Sequence, residues 1–436
     1  MCGRSTGPAG RTGYGWLTVP NGIWYVSTNH PRILPGGNVL DTRIVTSPDI
    51  QADIVDRARA LVPCVASLAV DIERERRLPQ SLLDALHEAR LFRLLLPHSQ
   101  DGLETDPVTF YHVIETIATA DASTAWCLSQ AGGCAMAAAY LDPAVARKIF
   151  GDPRAVLAWG PGPRAKAVAV EGGYRATGVW AFASGGRHAT WVGAPCPIFE
   201  TDGTPRLDAG GRQVERTVLV PASEIEWTDI WNVVGLRGTA SDQFALSDRF
   251  VRHDHSITRE FQKECREPGP LYRMPALVFY ELGFAGVALG IARASLDAFI
   301  DVARNKVPRG MKSVLRDSAV VQSGTAEAEV RVRAARAYLL QSAHQIWKEV
   351  GQPGGALTMD HRMTIRGAST YAIHTARDAV DFAYNAAGAT AIFESHPLER
   401  RFRDVHTVTQ QLQGRLSNLE TVGAYMLGGE PDLTFV

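Results

Sequence analysis

Near its C-terminal end the chain reads Pro397-Leu-Glu-Arg-Arg-Phe-Arg-Asp-Val-His406, between Asn385-Ala-Ala-Gly-Ala389 and Leu427-Gly-Gly-Glu-Pro431. The first flank is rich in small residues and is typical of a helix end, where glycine often follows the last turn. Proline suits the first turn of a helix, so a further helix is expected from about Pro397. The stretch therefore predicts a helical C-terminal domain that carries a cluster of Arg, Asp and His.

The composition is that of a globular protein without a strong charge bias. The chain has 436 residues, 45% of them hydrophobic, and its 45 Lys and Arg nearly balance 46 Asp and Glu. A formal net charge of −1 attracts neither nucleic acid nor an anionic membrane by bulk electrostatics. No run of about 18 apolar residues predicts a membrane span, and no apolar segment near the start predicts a signal peptide.

Six cysteines are scattered along the chain, and no two of them form a Cys-x-x-Cys pair. That spacing predicts neither a metal site nor a disulfide framework. A reducing cytoplasm is the simplest location for a protein with such cysteines.

Three regions follow an irregular N-terminal arm at residues 1–46, to which we assign no catalytic role. Residues 47–154 carry helix-start signals such as Ser47-Pro48 and are expected to be helical. Short segments rich in Val, Trp, Tyr and Phe, separated by Gly and Pro, indicate a small β-domain at 155–265. Long helical periods return over 266–436. The sequence thus predicts a mainly α protein with a central β-domain.

The first candidate site is the segment Gly178-Val-Trp-Ala-Phe-Ala-Ser-Gly185, whose alternation predicts a strand that ends in a tight turn. A Trp and a Ser at a strand end can give a planar ligand an aromatic wall and a hydrogen-bond partner. Trp180 and Ser184 are the candidates for those two roles. The alternative is that Trp180 and Phe182 are ordinary core aromatics, which strands commonly carry.

Two glycine-rich segments are further candidates, because glycine lets the backbone approach a ligand closely. Trp231-Asn-Val-Val-Gly-Leu-Arg-Gly-Thr-Ala-Ser-Asp242 offers the hydroxyls of Thr239 and Ser241 to a phosphate or a ring edge. Leu157-Ala-Trp-Gly-Pro-Gly-Pro163 offers Trp159 as a pocket wall. The alternatives are a polar turn in the first segment and a core tryptophan in the second.

The charged cluster near the C terminus contains Arg400, Arg403, Asp404 and His406. A histidine takes up or releases a proton near neutral pH, so His406 is the candidate proton donor or base. The alternative is that the charge run is only the solvated face of a helix and that the histidine is structural.

The ordered set of four segments resembles the acyl-CoA dehydrogenase superfamily over residues 48–436, and most of all its branch of two-component flavin monooxygenases. The resemblance implies an N-terminal helical domain, a middle β-barrel-like domain and a C-terminal four-helix bundle, assembled as a homotetramer. It also implies a monooxygenase that uses O2 and a reduced flavin, FMN or FAD, supplied by a separate reductase. Through a C4a-hydroperoxyflavin, such an enzyme oxygenates a small aromatic or heteroatom-containing substrate.

The same resemblance assigns residues to the cofactor and to the chemistry. Ser184 is expected to face the flavin ring, and His406 to protonate or stabilise the flavin-bound oxygen. Gln411 stands where many relatives carry a second histidine, and it can donate a hydrogen bond but cannot accept a proton in catalysis. The implied cofactor contacts are Trp159, Trp180, Ser184, Thr239, Ser241, Arg304 and Gly388. Arg304 is expected to reach a phosphate, which includes the phosphate of a neighbouring subunit's cofactor.

Two alternatives keep the same fold. An acyl-CoA dehydrogenase with bound FAD needs a carboxylate over the flavin, but Leu412 occupies the usual position of that base. Glu281 in Tyr280-Glu-Leu-Gly-Phe-Ala-Gly286 is the other possible base, one residue out of register, which is about 100° around a helix. The second alternative is a catalytically silent scaffold, which Gln411 and Leu412 permit and the intact glycine-rich loops disfavour.

Overall fold

The N-terminal helices begin where the sequence predicted. The computed structural model describes residues 48–258 and 264–430, so the predicted arm at 1–46 lies outside the described residues. The helices are α1 (Pro48–Glu75), α2 (Gln80–Glu88), α3 (Pro107–Ala118), α4 (Ala122–Ala135) and α5 (Pro143–Phe150). An aspartate precedes each of the last three and accepts hydrogen bonds from first-turn backbone N–H groups: Asp106, Asp121 and Asp142.

The central region is an eight-stranded sheet with the order β6-β7-β3-β2-β4-β5-β8, and β1 pairs with β4 in parallel. Its strands are β1 (Leu157–Trp159), β2 (Lys166–Val170), β3 (Gly173–Ala183), β4 (Trp191–Phe199), β5 (Glu215–Pro221), β6 (Glu226–Thr228), β7 (Asp242–Arg252) and β8 (Ser256–Ile257). A two-residue turn at Glu171-Gly172 joins β2 to β3 in a hairpin, and Gly172 has a φ of +77°. The sequence did not predict β6 and β8, because 3 and 2 residues are too few to show a period.

The C-terminal region contains the helices α6 (Ala276–Asn305), α7 (Ala319–Val350), α8 (Met359–Ala387), α9 (Pro397–Val408) and α10 (Ser417–Met426). The central helix is α6, which packs on α8 and α9 and also on α3 and α4 of the N-terminal region. Gly290 allows one of these close approaches, since a Cβ there would lie 2.6 Å from the carbonyl oxygen of Glu115. The predicted mainly α fold with a central sheet is confirmed.

The apolar sequence of α6 is explained by its position in the core. By length and composition α6 could cross a membrane, but 89% of its most apolar 18-residue window is buried within the protein. Its side chains Phe279, Leu282, Val287 and Ile291 all have 2% or less of their surface exposed. Burial of that extent is typical of a helix at the centre of a globular core.

The domain boundaries after residues 154 and 265 stay predictions. The helix α5 ends at Phe150 and β1 begins at Leu157, while β8 ends at Ile257 and α6 begins at Ala276. Each predicted boundary therefore falls between two elements and cuts through none of them.

Candidate functional site

The end of β3 is distorted by a β-bulge. Strand alternation alone would place Trp180 and Phe182 on the same face of the sheet. However, the pairing with β7 shifts between Trp180 and Ala183, and Phe182 has a φ of +58°. As a result Trp180 is 0% exposed, whereas the Phe182 side chain is 58% exposed. The bulge thus turns one of the two aromatic side chains out of the sheet.

The structure does not support the prediction that Trp180 forms the wall of a ligand site. Its ring stacks on Phe244 at a centroid distance of 5.3 Å, and its indole N–H donates to the carbonyl oxygen of Pro195 at 2.9 Å. With no exposed surface, Trp180 is a core aromatic of the sheet, as the alternative interpretation held.

Phe182 is the aromatic side chain that this strand end offers to a ligand. Its ring contacts the edge of Trp231 at a centroid distance of 5.9 Å and is otherwise open. A bulky residue at positive φ is strained, and such strain is concentrated at functional sites. Sequence alternation missed Phe182, because a bulge is a property of strand pairing and not of the local pattern.

Three hydroxyl groups meet just beyond the bulge. Ser184 Oγ lies 2.7 Å from Ser241 Oγ, which lies 2.7 Å from Thr239 Oγ1. We call Ser184, Ser241 and Thr239 the hydroxyl chain. Thr239 donates to the carbonyl oxygen of Leu236 at 2.9 Å, and Trp126 of α4 donates its indole N–H to Ser184 Oγ at 3.0 Å. The structure therefore brings together three of the predicted residues and adds Trp126, which the sequence did not indicate.

The hydroxyl chain is largely closed to solvent. Thr239 and Ser241 are 1% and 2% exposed, so their predicted role as direct cofactor contacts is not supported in this structure. Thr239 contacts Ser241 instead, and Ser241 contacts Ser184, which is 7% exposed and is the most open of the three. Because buried hydroxyls must be paired, the chain is a fixed network and not a set of mobile side chains.

The loop that carries Thr239 is held by close backbone contacts on two sides. A Cβ on Gly238 would lie 2.1 Å from Ile72 Cγ2 of α1, and a Cβ on Gly235 would lie 2.3 Å from the carbonyl oxygen of Arg403 in α9. The N–H of Gly238 donates to Ser123 Oγ at 3.2 Å. The glycines of this segment thus serve close packing against helices, and the predicted close backbone approach is made to protein and not to a ligand.

Asp404 connects α9 to this loop. Its Oδ1 accepts a hydrogen bond from the N–H of Leu236 at 2.6 Å, and Asp404 as a whole is only 2% exposed. Burial raises the pKa of Asp404 to about 7, although the hydrogen bond from Leu236 opposes that rise. Leu236 therefore donates to Asp404 and accepts from Thr239, and it links α9 to the hydroxyl chain.

The charged cluster on α9 is divided between two neighbours. Arg403 pairs with Glu73 of α1 at 2.7 Å and donates to the carbonyl oxygen of Val234 at 2.6 Å. Hydrogen bonds to Glu399 and to Glu73 raise the pKa of Arg403. His406 turns to α8, where Nε2 lies 2.8 Å from Asp381 Oδ1. The His406 ring also packs on Phe402 at a centroid distance of 4.5 Å. The structure places Asp404 at the loop and His406 at α8, so it does not bring His406 into the hydroxyl chain.

Gln411 caps a short 3-10 helix at Leu412–Gly414. Its Oε1 accepts a hydrogen bond from the N–H of Gln413 at 2.8 Å. Its Nε2 is buried and has no hydrogen-bond partner among the described residues. Both N–H donors of the Gln411 amide are therefore unpaired among the described residues, as a hydrogen-bonding role toward a ligand requires, but no contact joins Gln411 to Ser184.

Trp159 belongs to the core. It is 5% exposed on β1, and its ring covers Gly193 of β4 so closely that a Cβ there would lie 2.8 Å from it. The sequence left open whether Trp159 is a pocket wall or a core residue, and the packing supports the core residue.

Arg304 and Gly388 lie at the far end of α6. The 20 residues from Phe284 to Arg304 span roughly 30 Å of helix, and Phe284 stacks on Trp126 at 3.9 Å beside the hydroxyl chain. Arg304 is exposed and pairs with Asp301 at 3.2 Å. Gly388 ends α8 with a φ of +58° near Lys306, two residues beyond Arg304. The structure brings neither residue to Ser184 of the same chain.

Glu281, the base of the dehydrogenase alternative, is a buried ion-pair partner. Its Oε1 lies 3.5 Å from Arg366 Nε of α8, and both side chains are 6% exposed. Burial raises the pKa of Glu281 to about 7 against the opposing effect of Arg366. The pair joins α6 to α8, which gives the carboxylate a structural role and disfavours the dehydrogenase alternative.

Known proteins share this architecture and sequence. Family models described as the N-terminal and C-terminal domains of acyl-CoA dehydrogenase match residues 48–148 and 282–413. Indole-3-acetate monooxygenase of Pseudomonas putida is 30% identical over 362 residues, which cover 83% of this chain and 90% of that protein. The oxygenase subunit HsaA of a flavin-dependent monooxygenase from Rhodococcus jostii (strain RHA1) is 28% identical over 361 residues, which cover 81% of this chain and 92% of that protein.

Among solved structures, XiaF from Streptomyces sp. in complex with FADH2 and glycerol has a TM-score of 0.82 and is 28% identical, covering 88% of this chain and 98% of that chain. Fold, domain matches and sequence identity therefore agree. The chain belongs to the acyl-CoA dehydrogenase superfamily, in the branch of flavin-dependent monooxygenase oxygenase components.

Proposed function

We propose that this protein is the oxygenase component of a two-component flavin-dependent monooxygenase. A separate reductase supplies reduced flavin, and the protein uses it with O2 to put one oxygen atom on a small aromatic substrate. The second oxygen atom leaves as water and the flavin leaves oxidised, so atoms and electrons balance. Support comes from the relatives: one is named an indole-3-acetate monooxygenase and another an oxygenase subunit.

The observation that carries the proposal is the strand end at Phe182 and Ser184. A flavin ring needs an apolar surface for its face and a hydrogen-bond partner for its edge, and when bound it supplies the activation of oxygen. The exposed ring of Phe182 meets the first need, and the hydroxyl of Ser184 meets the second. The residues present therefore fit the group. Trp126 and Phe284, stacked at 3.9 Å beside Ser184, extend the apolar lining that keeps water out.

His406 is our proposed source of a proton for the oxygen chemistry. Asp381, 2.8 Å from its Nε2, is suited to hold the imidazole in one orientation. Gln411, whose Nε2 is buried without a partner among the described residues, is proposed to donate a hydrogen bond to the substrate. An amide cannot take up a proton. We therefore propose a substrate whose oxygenation requires no base at the position of Gln411.

We further infer FAD as the flavin, a homotetramer as the assembly and the cytoplasm as the location. XiaF, 28% identical to this chain, was solved with FADH2. The helix α7 exposes Val320, Val330 and Tyr338 by 79%, 65% and 50%, which is apolar surface of the kind that subunit contacts bury. Arg304 and Gly388, remote from Ser184 in one chain, are then available to the flavin of a neighbouring subunit.

Reduced-flavin binding and oxygen transfer test the proposed function directly. The purified protein is titrated without oxygen with reduced FAD and reduced FMN, then mixed with O2 and indole-3-acetate or resorcinol as probe substrates. We expect binding of reduced FAD and an oxygenated product. A protein that binds neither reduced FAD nor reduced FMN would refute the proposal. Bleaching of bound oxidised FAD by an acyl-CoA would favour the dehydrogenase alternative.

Replacing His406 by Ala tests its proposed role. The His406 and Asp381 side chains are 38% and 33% exposed, and an exposed pair of this kind contributes about 1 kcal/mol or less to stability. We therefore expect an intact fold and unchanged binding of reduced FAD, but less product and more hydrogen peroxide per flavin oxidised. The measurement is product and peroxide yield, with His361→Ala, a paired histidine on α8, as the control. Unchanged product yield would remove His406 from the chemistry.

A further inference from the structure

We propose that the hydroxyl chain makes Ser184 a hydrogen-bond acceptor and so lets the protein prefer reduced over oxidised flavin. This inference rests on the proposed function and deepens it. It gives Thr239 and Ser241 a role different from cofactor contact, because their position sets the direction in which Ser184 points its proton. Thr239 becomes the residue that determines redox specificity.

The direction of the hydroxyl chain follows from its end at Leu236. A backbone carbonyl oxygen has no proton to give, so Thr239 must be the donor in its 2.9 Å contact with Leu236. Its single proton is then used, so at 2.7 Å Thr239 accepts from Ser241. Ser241 has in turn used its proton, so it accepts from Ser184, also at 2.7 Å. All three hydroxyls therefore donate toward Leu236.

Ser184 is left with lone pairs and no free proton. A hydroxyl oxygen accepts two hydrogen bonds, and the indole N–H of Trp126 takes one of these places at 3.0 Å. The second lone pair of Ser184 Oγ can accept a hydrogen bond from a donor on a bound ligand. Reduced flavin carries an N–H at N5, whereas N5 of oxidised flavin has only a lone pair. The relaxed hydroxyl chain is therefore complementary to the reduced form.

Oxidised flavin can be satisfied only if the hydroxyl chain reverses. Ser184 would then donate to N5, Ser241 to Ser184, and Thr239 to Ser241, and the bond from Thr239 to Leu236 would be lost. The oxidised complex thus has one hydrogen bond fewer than the reduced complex. One net hydrogen bond of about 0.5–1.5 kcal/mol corresponds to roughly a three- to tenfold difference in affinity.

The decisive experiment compares dissociation constants of FAD and of dithionite-reduced FAD, measured without oxygen, in the wild type and in Thr239→Val. Valine keeps the shape of threonine and removes the hydroxyl. Ser241 then loses its acceptor and is free to donate to Ser184, which releases the Ser184 proton for oxidised N5. We expect the preference for reduced FAD to fall roughly three- to tenfold. By linkage, the midpoint potential of bound FAD falls, by about 30 mV for a tenfold change.

Three further variants separate this effect from damage to the fold. Thr239→Ser keeps the hydroxyl and should keep the wild-type preference. Ser184→Ala removes the acceptor and should also lower the preference. Thr105→Val is the matched control, because Thr105 is likewise buried and donates to a backbone carbonyl, that of Leu94 at 3.0 Å, in the N-terminal helical region. It should leave the preference unchanged.

The outcomes distinguish the inference from the function on which it rests. The role of Thr239 would be overturned if Thr239→Val kept the wild-type preference for reduced FAD. It would also be overturned if Thr105→Val lost that preference to the same extent. Neither result would affect the proposal that the protein binds reduced flavin. A wild type that binds FAD in neither redox state would overturn both.

Discussion

Residues distant in the sequence meet at the end of β3, whereas residues adjacent in the sequence separate on α9. Trp126 lies on α4, Ser184 follows β3 and Ser241 precedes β7, yet their polar atoms lie 2.7–3.0 Å apart in succession. Asp404 and His406 are two positions apart, yet one binds the Leu236 loop and the other binds α8. A step of two residues turns a helix by about 200°, which is sufficient cause for that separation.

The comparison teaches how to weigh sequence clusters. A dense run of charged residues on a helix is distributed to different neighbours, so its density alone does not indicate one site. Scattered serines and threonines at strand ends can converge, because sheet pairing brings strand ends together. The two regions are nonetheless coupled in this protein, since Leu236 donates to Asp404 and accepts from Thr239.

Breaking the contact between the two regions should have the largest effect. In Gly235→Ala the new Cβ would lie 2.3 Å from the carbonyl oxygen of Arg403, which is backbone and cannot turn aside. We expect a loss of about 3 kcal/mol in the free energy of unfolding, from forced separation of the loop and α9. Urea denaturation measures this. The control is Gly423→Ala on α10, where a Cβ meets nothing within 4 Å and alanine is neutral or stabilising. Equal stability of the two variants would contradict the tight contact.

Protonation of Asp404 should make the stability of the contact between α9 and the Leu236 loop depend on pH. Burial raises its folded-state pKa to about 7, above 3.8, its ordinary value. Between about pH 4 and pH 7 the folded protein therefore binds one proton that the unfolded chain has released, so stability from this group falls as pH rises. As pH rises through this window, the free energy of unfolding of the wild type should fall by about 1.4 kcal/mol per pH unit relative to that of Asp404→Asn. Urea denaturation at pH 5 and pH 7 measures it, and a constant difference between the proteins would refute the raised pKa.

The smallest expected effect lies at Ala240, between the two hydroxyl-bearing residues of the loop. Ala240 has a φ of +44°, where alanine is strained and glycine is not. Ala240→Gly relieves that strain but makes the unfolded chain more flexible, so we expect a net gain of only about 0.5 kcal/mol. Thermal denaturation is the measurement, with Ala222→Gly, at an ordinary turn, as a control expected to lose stability. A destabilised Ala240→Gly would show that the side chain contributes more by packing than it loses by strain.

Most of the fold was predictable because its signals are local. Helix starts at Pro48, Pro107 and Pro143 are marked by proline, and aspartate caps precede the last two. The β2–β3 turn is set by Gly172. Repeating apolar periods identified the long C-terminal helices. Each of these features depends on neighbours in the chain, and the strands β6 and β8 were missed because they have too few neighbours to show a pattern.

The candidate site was predictable only in part. Ser184, Thr239 and Ser241 were found from strand ends and glycine-rich turns, and they do meet. Trp180 was assigned the role that Phe182 is positioned to fill, because a bulge reverses the outward face. Trp126 had no local signal, since its partner Ser184 is 58 residues away.

The sequence by itself determined the order of elements, the family and the set of polar residues from which a site could be built. Only the tertiary structure decided which aromatic ring faces outward, which hydroxyls meet, and which neighbour each residue of α9 contacts. Local patterns fix backbone conformation through steric and capping preferences of adjacent residues. The direction of a hydrogen bond depends on which group lies opposite, and that group belongs to a distant part of the chain.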